Sequence, residues 1–219
     1  MCGRFALATE KNILEMLYDL ELRGDLTPRY NIAPSQDILA VRANPEGKKE
    51  PAYFRWGLVP FWAKDEKIGY RMINARAETA AEKPSFREAI RKRRLLIPAS
   101  GFFEWKKEEK GKQPYYICRK DKNPFSLGGL WERWEKGSSP LESCTILTTE
   151  PNSLLAPLHN RMPLIITPEA YGSWLDPETP SAAVNKLLQP ADPELFTAYP
   201  VSRAVNSPVN DMPDIIEPL

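Results

Sequence analysis

Prolines break this chain at short intervals. Its 22 prolines and 11 glycines are spread along the whole length and form no tract. Each proline fixes φ and removes a backbone donor, which argues against long helices and for a succession of short elements. A chain of 219 residues built this way is expected to form one domain around one sizeable core. Strand patterns run over residues 1–7, 37–42, 51–56, 95–99, 101–107, 115–118, 125–131, 143–149 and 164–166, separated by turn residues. Thr9 is placed to cap a helix whose apolar residues Ile13, Leu14, Leu17 and Leu20 recur at helical spacing. Residues 86–94, 168–175 and 182–188 read as further short helices, and residues 29–34 as an irregular, Pro-bounded segment.

Charge and cysteine content narrow the classes of function. Lys and Arg total 30 against 29 Asp and Glu, so affinity for nucleic acid must come from local patches. The basic run at residues 86–94, with Arg87, Arg91, Lys92, Arg93 and Arg94, is the best local candidate for phosphate contact. Three cysteines without CxxC spacing point away from a disulfide framework and a Cys-rich zinc site, and toward a reducing cytoplasm. No metal or other cofactor is expected. The chain start lacks the apolar run of a signal peptide, and no apolar stretch approaches membrane-spanning length, so no membrane partner is expected.

Several residues carry chemistry. Once Met1 is removed, Cys2 presents an α-amine and a thiol on adjacent carbons. Such a 1,2-aminothiol traps aldehydes: the amine condenses to an imine and the thiol closes a five-membered thiazolidine. Unperturbed, the amine titrates at about 7.7–8.0 and the thiol near about 8.5, so both are usable near neutral pH. The alternative is an inert residue on a frayed terminus. Alternation along residues 101–107 puts Glu104 on the face of Phe102 and Lys106, with Phe103 and Trp105 on the other. A carboxyl among aromatics is expected to have a raised pKa suited to proton transfer; the alternative is a surface charge paired with lysine. His159, the only histidine, sits in a predicted loop before Pro163 and is either structural or a proton carrier. Trp56, Phe61 and Trp62, broken by Gly57 and Pro60, read as a core corner by default or an aromatic platform beside a groove. Cys118 and Cys144 lie in apolar runs and are expected to be inert core thiols.

Taken in order, Met1-Cys2-Gly3-Arg4-Phe5, Arg29-Tyr30-Asn31-Ile32-Ala33-Pro34, Trp56-Gly57-Leu58-Val59-Pro60, Ile73-Asn74-Ala75-Arg76-Ala77-Glu78-Thr79, Gly101-Phe102-Phe103-Glu104-Trp105, Leu158-His159-Asn160-Arg161-Met162-Pro163 and Val201-Ser202-Arg203-Ala204-Val205-Asn206 resemble the SOS response-associated peptidase (SRAP) family of abasic-site processing proteins. The resemblance implies a single α+β domain over residues 1–206, with a barrel-like, mainly antiparallel sheet core and peripheral short helices. Residues 207–219 form a Pro-rich tail packed on or trailing that domain. It also implies a sensor of abasic sites in single-stranded DNA that crosslinks them through Cys2 as a thiazolidine, with AP-lyase side activity and self-removal of Met1 as further activities. By position, Asn74 orients the Cys2 amine or thiol, Glu104 shuttles protons and His159 assists opening of the sugar. Arg4, Arg76 and Arg161 are implied phosphate contacts, and Pro34 and Trp62 line the DNA groove. The implied protein is a cytoplasmic monomer that joins the nucleoid on damaged DNA, with replication or repair proteins left open as partners. Two rival readings are a cysteine peptidase using Cys2 with His159, and a non-catalytic reader of single-stranded or modified DNA.

Overall fold

The structure, a computed structural model, describes residues 2–109 and 111–219. Met1, at the start of the expected first strand, and Lys110, in the expected hairpin turn, lie outside the described residues. The strands in chain order are β1 (Phe5–Leu7), β2 (Arg29–Ile32), β3 (Asp37–Ala43), β4 (Lys49–Trp56), β5 (Asn74–Arg76), β6 (Arg94–Ala99), β7 (Gly101–Glu108), β8 (Gly111–Arg119), β9 (Phe125–Trp134), β10 (Leu141–Thr149), β11 (Met162–Pro163), β12 (Ile165–Ile166) and β13 (Phe196–Pro200). The α-helices are short: α1 (Lys11–Tyr18), α2 (Arg87–Lys92), α3 (Tyr171–Leu175) and α4 (Ser181–Lys186). None is long and apolar enough to cross a membrane, among the described residues.

Strand β3 pairs antiparallel with β4 and β6, β6 with β9, and β9 with β10. A short parallel contact of β10 with β4, at Ser143–Arg55 and Cys144–Trp56, closes these strands into a barrel. Closure leaves no open edge between them. A second, antiparallel sheet runs β13-β8-β7-β1-β2. The protein is therefore a single α+β domain with a barrel-like, mainly antiparallel core, as the family resemblance implies.

The apolar runs explain the layers. Every residue of β6 is buried, because β3 and β9 flank it and Trp174 of α3 covers it, donating its indole N–H to Leu95 O at 2.9 Å. On β7 the expected alternation holds. Phe102 packs in the main core, its ring 6.4 Å from that of Phe125, whereas Phe103 joins a second cluster with Tyr116, Val201 and Ile215. The tail supplies that second cover. Ile215 is buried, the Asp211 carboxylate accepts the Asn31 backbone N–H at 3.0 Å, and Pro218 bridges to Val201.

Local expectations fail where tertiary partners take over. Thr9 does not cap α1; Glu10 holds that position without a side-chain bond, and the Thr9 hydroxyl lies 2.9 Å from that of Ser100. Ser100 also accepts the Ala8 N–H at 2.8 Å, so this contact turns Thr9 toward the β6–β7 link. The helix stops at Tyr18, before Leu20, where Asp19 turns left-handed at φ 52°. Residues 29–32 are strand, not irregular, because β1 pairs with them at Phe5–Ile32 and Leu7–Arg29. Of the basic run, Arg94 is buried and its guanidinium serves the carbonyls of Ile90, Arg91, Trp174 and Asp176, while Arg93 pairs with Glu132 at 2.8 Å. Arg94 thus closes the end of α2, Arg93 is tied to β9, and both guanidiniums are engaged within the protein.

Two loops cross at Gly57 and Gly69. Gly57 has φ 130°, and a Cβ there would sit 2.7 Å from Gly69 O. Gly57→Ala combines steric overlap with a disfavoured backbone and is expected to cost about 3 kcal/mol or more. A urea midpoint equal to wild type would contradict this close approach.

Candidate functional site

The site begins with strand pairing. Phe5 faces Phe102 across β1 and β7, and the Phe103 N–H donates to Arg4 O at 3.0 Å. The same antiparallel progression carries Cys2 toward Glu104, whose charge bears on the thiol. Cys2 is fully buried within the main core, and its Sγ lies 4.0 Å from Arg4 O. It is not on a frayed, exposed end. Burial first, then the Glu104 carboxylate, push the Cys2 thiol far above its ordinary range. With Met1 attached, the group at neutral pH is a thiol and not the partly ionised nucleophile of a free cysteine.

Glu104 is 2% exposed, on the Phe102 face of β7 as expected. Burial raises its pKa, and the charge of His159 opposes that rise. This is no solvated surface charge. His159 ends a turn set by Asn152, whose Oδ1 accepts the Leu155 N–H at 3.0 Å; the His159 N–H then bonds Leu155 O at 2.9 Å. Its Nδ1 accepts the Arg161 backbone N–H at 3.0 Å and lies 3.3 Å from Arg161 O, so the Arg161 main chain holds that edge of the ring. Cys2, Glu104 and His159 are thus linked in series by electrostatic reach, although the chain separates them widely.

Asn74 opens β5, which runs parallel to β10. Its Nδ2 donates to Ile73 O at 3.0 Å and Ile146 O at 3.4 Å, while its buried Oδ1 finds no donor among the described residues. Trp56 connects this element to β1: its indole donates to Ile73 O at 2.8 Å and its ring lies 5.4 Å from that of Phe5. Asn74 is therefore connected through Ile73 O and Trp56 to Phe5 of β1, and offers an unused acceptor.

The expected phosphate contacts differ from one another. Arg76 is exposed, and its guanidinium makes no hydrogen bond among the described residues. Arg161 is engaged: Nη1 and Nη2 donate to the two Glu78 oxygens, each at 2.8 Å. Arg4 is fastened to Asn31 Oδ1 and Val205 O, both at 2.6 Å, and its guanidinium lies 6.0 Å from the Trp105 ring. Pro34 is half-buried in the turn after β2. Trp56 is core, but Phe61 and Trp62 are 54% and 41% exposed, Trp62 lining a shallow groove with Lys64, Lys67 and Arg71, so the default core reading fails for this pair. Gly57 and Pro60 turn the chain out of the barrel before it reaches them.

Two further residues lie in the family-like motifs but were given no role by the sequence. Asn31 is a buried hub whose amide bonds the carbonyls of Ser207 at 3.0 Å and Asn210 at 2.6 Å while its Oδ1 holds Arg4. Glu78 reads as a charge at a helix entrance until Arg161 arrives opposite it. Cys118 and Cys144 are buried free thiols, in accord with the core reading. Among the described residues no group of three or more His, Cys, Asp or Glu could hold a metal ion.

Comparison with known proteins places these features in context. The family model described as SOS response associated peptidase (SRAP) matches residues 1–208. The chain is 46% identical, over 99% of both chains, to abasic site processing protein YoqW of Bacillus subtilis. It is 32% identical, over 100% of both, to abasic site processing protein YedK of Escherichia coli. A crystal structure of a Bacteroides thetaiotaomicron protein superimposes with a TM-score of 0.89 at 32% identity, covering 100% of each chain.

Proposed function

The chain belongs to the SOS response associated peptidase (SRAP) family, and from that premise we propose that it processes abasic sites in single-stranded DNA by linking them to its own mature N-terminus. The observation that carries this reading is the burial of Cys2 beside Glu104, a carboxyl whose hold on its proton burial strengthens, with His159 next in line.

The chemistry proceeds in balanced steps. An abasic deoxyribose is mostly a closed hemiacetal, and His159 assists proton movement between ring oxygen and anomeric hydroxyl to expose the aldehyde. The Cys2 amine adds to the carbonyl carbon to give a carbinolamine. Glu104 delivers the proton with which hydroxide leaves as water, forming the imine. The thiol then adds across the C=N bond, sulfur to carbon and proton to nitrogen, closing the thiazolidine. In this order the amine acts first and an S–H thiol supplies its own proton at ring closure. Elimination of the 3′ phosphate from the imine is the competing AP-lyase path. Asn74 Oδ1 is the acceptor that orients the amine.

Around the lesion, exposed Arg76 is the readiest phosphate contact, with Arg161 and Arg4 contributing through the N–H groups their internal partners leave. Trp62 and Pro34 present apolar surface to unpaired bases, which favours damage recognition without sequence preference. The reading includes a monomer acting in the cytoplasm and on the nucleoid. The high pKa of the Cys2 thiol weighs against a peptidase thiolate.

The test mixes mature protein with a single-stranded oligonucleotide containing one abasic site and resolves the products on a denaturing gel. A heat- and SDS-resistant adduct, absent with intact DNA, is the expected result. Binding without an adduct would establish a non-catalytic reader instead.

A further inference from the structure

Glu78 and Arg161 meet across the end of one strand. Thr148 of β10 pairs with Arg76 of β5 on one edge and with Pro163 of β11 on the other. Glu78 lies just after β5 and Arg161 just before β11, and their side chains close over this point in a two-pronged ion pair, each prong 2.8 Å. Arg161 Nη2 also donates to Thr148 O. The carboxylate thus occupies the seat on the guanidinium that two phosphate oxygens would use. Burial alone would raise the Glu78 pKa, but the Arg161 fork and the Arg76 charge hold it below the usual carboxylate range. Glu78 is therefore an anion at neutral pH.

The pair reaches the reacting groups through the main chain. The Arg161 N–H that holds His159 Nδ1 belongs to the residue whose side chain Glu78 grips. The Arg161 side chain is 14% exposed against 42% for Glu78, so the arginine is the seated partner and the glutamate the latch.

We propose that Glu78 is a positioning residue: it holds Arg161, and through the Arg161 main chain the His159 ring, while its charge restrains Arg76 and Arg161 from gripping undamaged DNA. This role rests on the abasic-site function proposed above. It predicts effects of opposite sign on binding and on reaction.

In Glu78→Gln, affinity for an intact single-stranded oligonucleotide is expected to rise about 3- to 10-fold at low salt, the gain shrinking as salt is added. Single-turnover adduct formation at saturating abasic oligonucleotide is expected to fall about 10-fold or more, because the histidine loses its alignment. Glu78→Asp keeps the charge and is expected to return the affinity to the wild-type value. A purely structural role would weaken binding and reaction together, so a loss of both, or a change in neither, overturns the proposal while leaving the function intact. Wild-type protein that binds the abasic oligonucleotide and forms no adduct would remove the function and the positioning role together.

Discussion

Protein that retains Met1, or carries an N-terminal tag, is expected to form no heat-stable adduct with abasic DNA, whereas mature Cys2→Ser protein is expected to form an imine that borohydride traps and that heat destroys when it is left unreduced. The two variants separate the two nucleophiles of one residue. With Met1 in place the Cys2 nitrogen is an amide, its lone pair is delocalised, and neither carbinolamine nor imine can form. Loss of the amine therefore removes the first step, with a fall of about 10³-fold or more, the order seen when an enzyme loses its nucleophile. Serine keeps the amine and loses only the sulfur that closes the ring. Its imine persists, exposed to hydrolysis and to elimination of the 3′ phosphate, so strand cleavage should increase as the stable adduct disappears. Buried Cys118 and Cys144 offer no substitute, since neither bears an α-amine. Borohydride trapping followed by a denaturing gel reads both outcomes. Without borohydride, a heat-stable adduct from Cys2→Ser would eliminate the thiol from the product, and a heat-stable adduct from the Met1-retaining chain would eliminate the Cys2 α-amine from the mechanism.

How far the residues alone foretell this site depends on how local each cause is. The face of Glu104 was legible because a strand has a fixed period: Phe102 and Phe103 face two different cores, and the carboxyl follows Phe102 toward the larger one. The burial of β6 was legible from its unbroken apolar run. The default core reading of Trp62 failed because composition says that a tryptophan is apolar and not which way a Gly-and-Pro turn sends it. Two members of the basic run, Arg93 and Arg94, were misjudged for a related reason, while Arg87, Arg91 and Lys92 stay exposed. The guanidiniums look like a patch in one dimension, yet Arg94 points inward to carbonyls of α2, of Trp174 and of Asp176, as much as 82 positions away in the chain. Thr9 had the right side chain for a cap and a better partner in Ser100. Arg161 gave no hint of being occupied, because its partner Glu78 is 83 positions distant. Family resemblance could name the positions that meet, but only the closed barrel, which brings β5 and β11 to opposite edges of β10, shows what each side chain already holds.

Glu104→Gln is expected to slow the reaction and stabilise the fold, and both effects follow from one property. The folded carboxyl has a raised pKa, because burial disfavours the anion more than His159 supports it. Between the unfolded value, about 4.3, and that raised value, the native state binds more protons than the unfolded state, so stability falls as pH rises through this window. The loss amounts to about 1.4 kcal/mol for each unit by which the folded pKa exceeds the unfolded one. Glutamine never ionises and escapes that loss, provided its amide is accommodated where the carboxyl sits. Urea unfolding should therefore show a variant advantage that is small near pH 4, grows with pH and levels off above the folded pKa. An advantage that shrank with rising pH would mean that the carboxylate is the favoured form and that the assigned direction is wrong. Catalysis should move the other way. Imine formation needs a group that gives up and regains a proton close to neutral pH; an amide can hydrogen-bond but cannot transfer that proton, and the expected cost is about 10²- to 10⁴-fold in single-turnover rate. Full speed in a variant that also shows the stability gain would mean that Glu104 is only a strained buried acid, and that the proton travels by His159 or solvent instead.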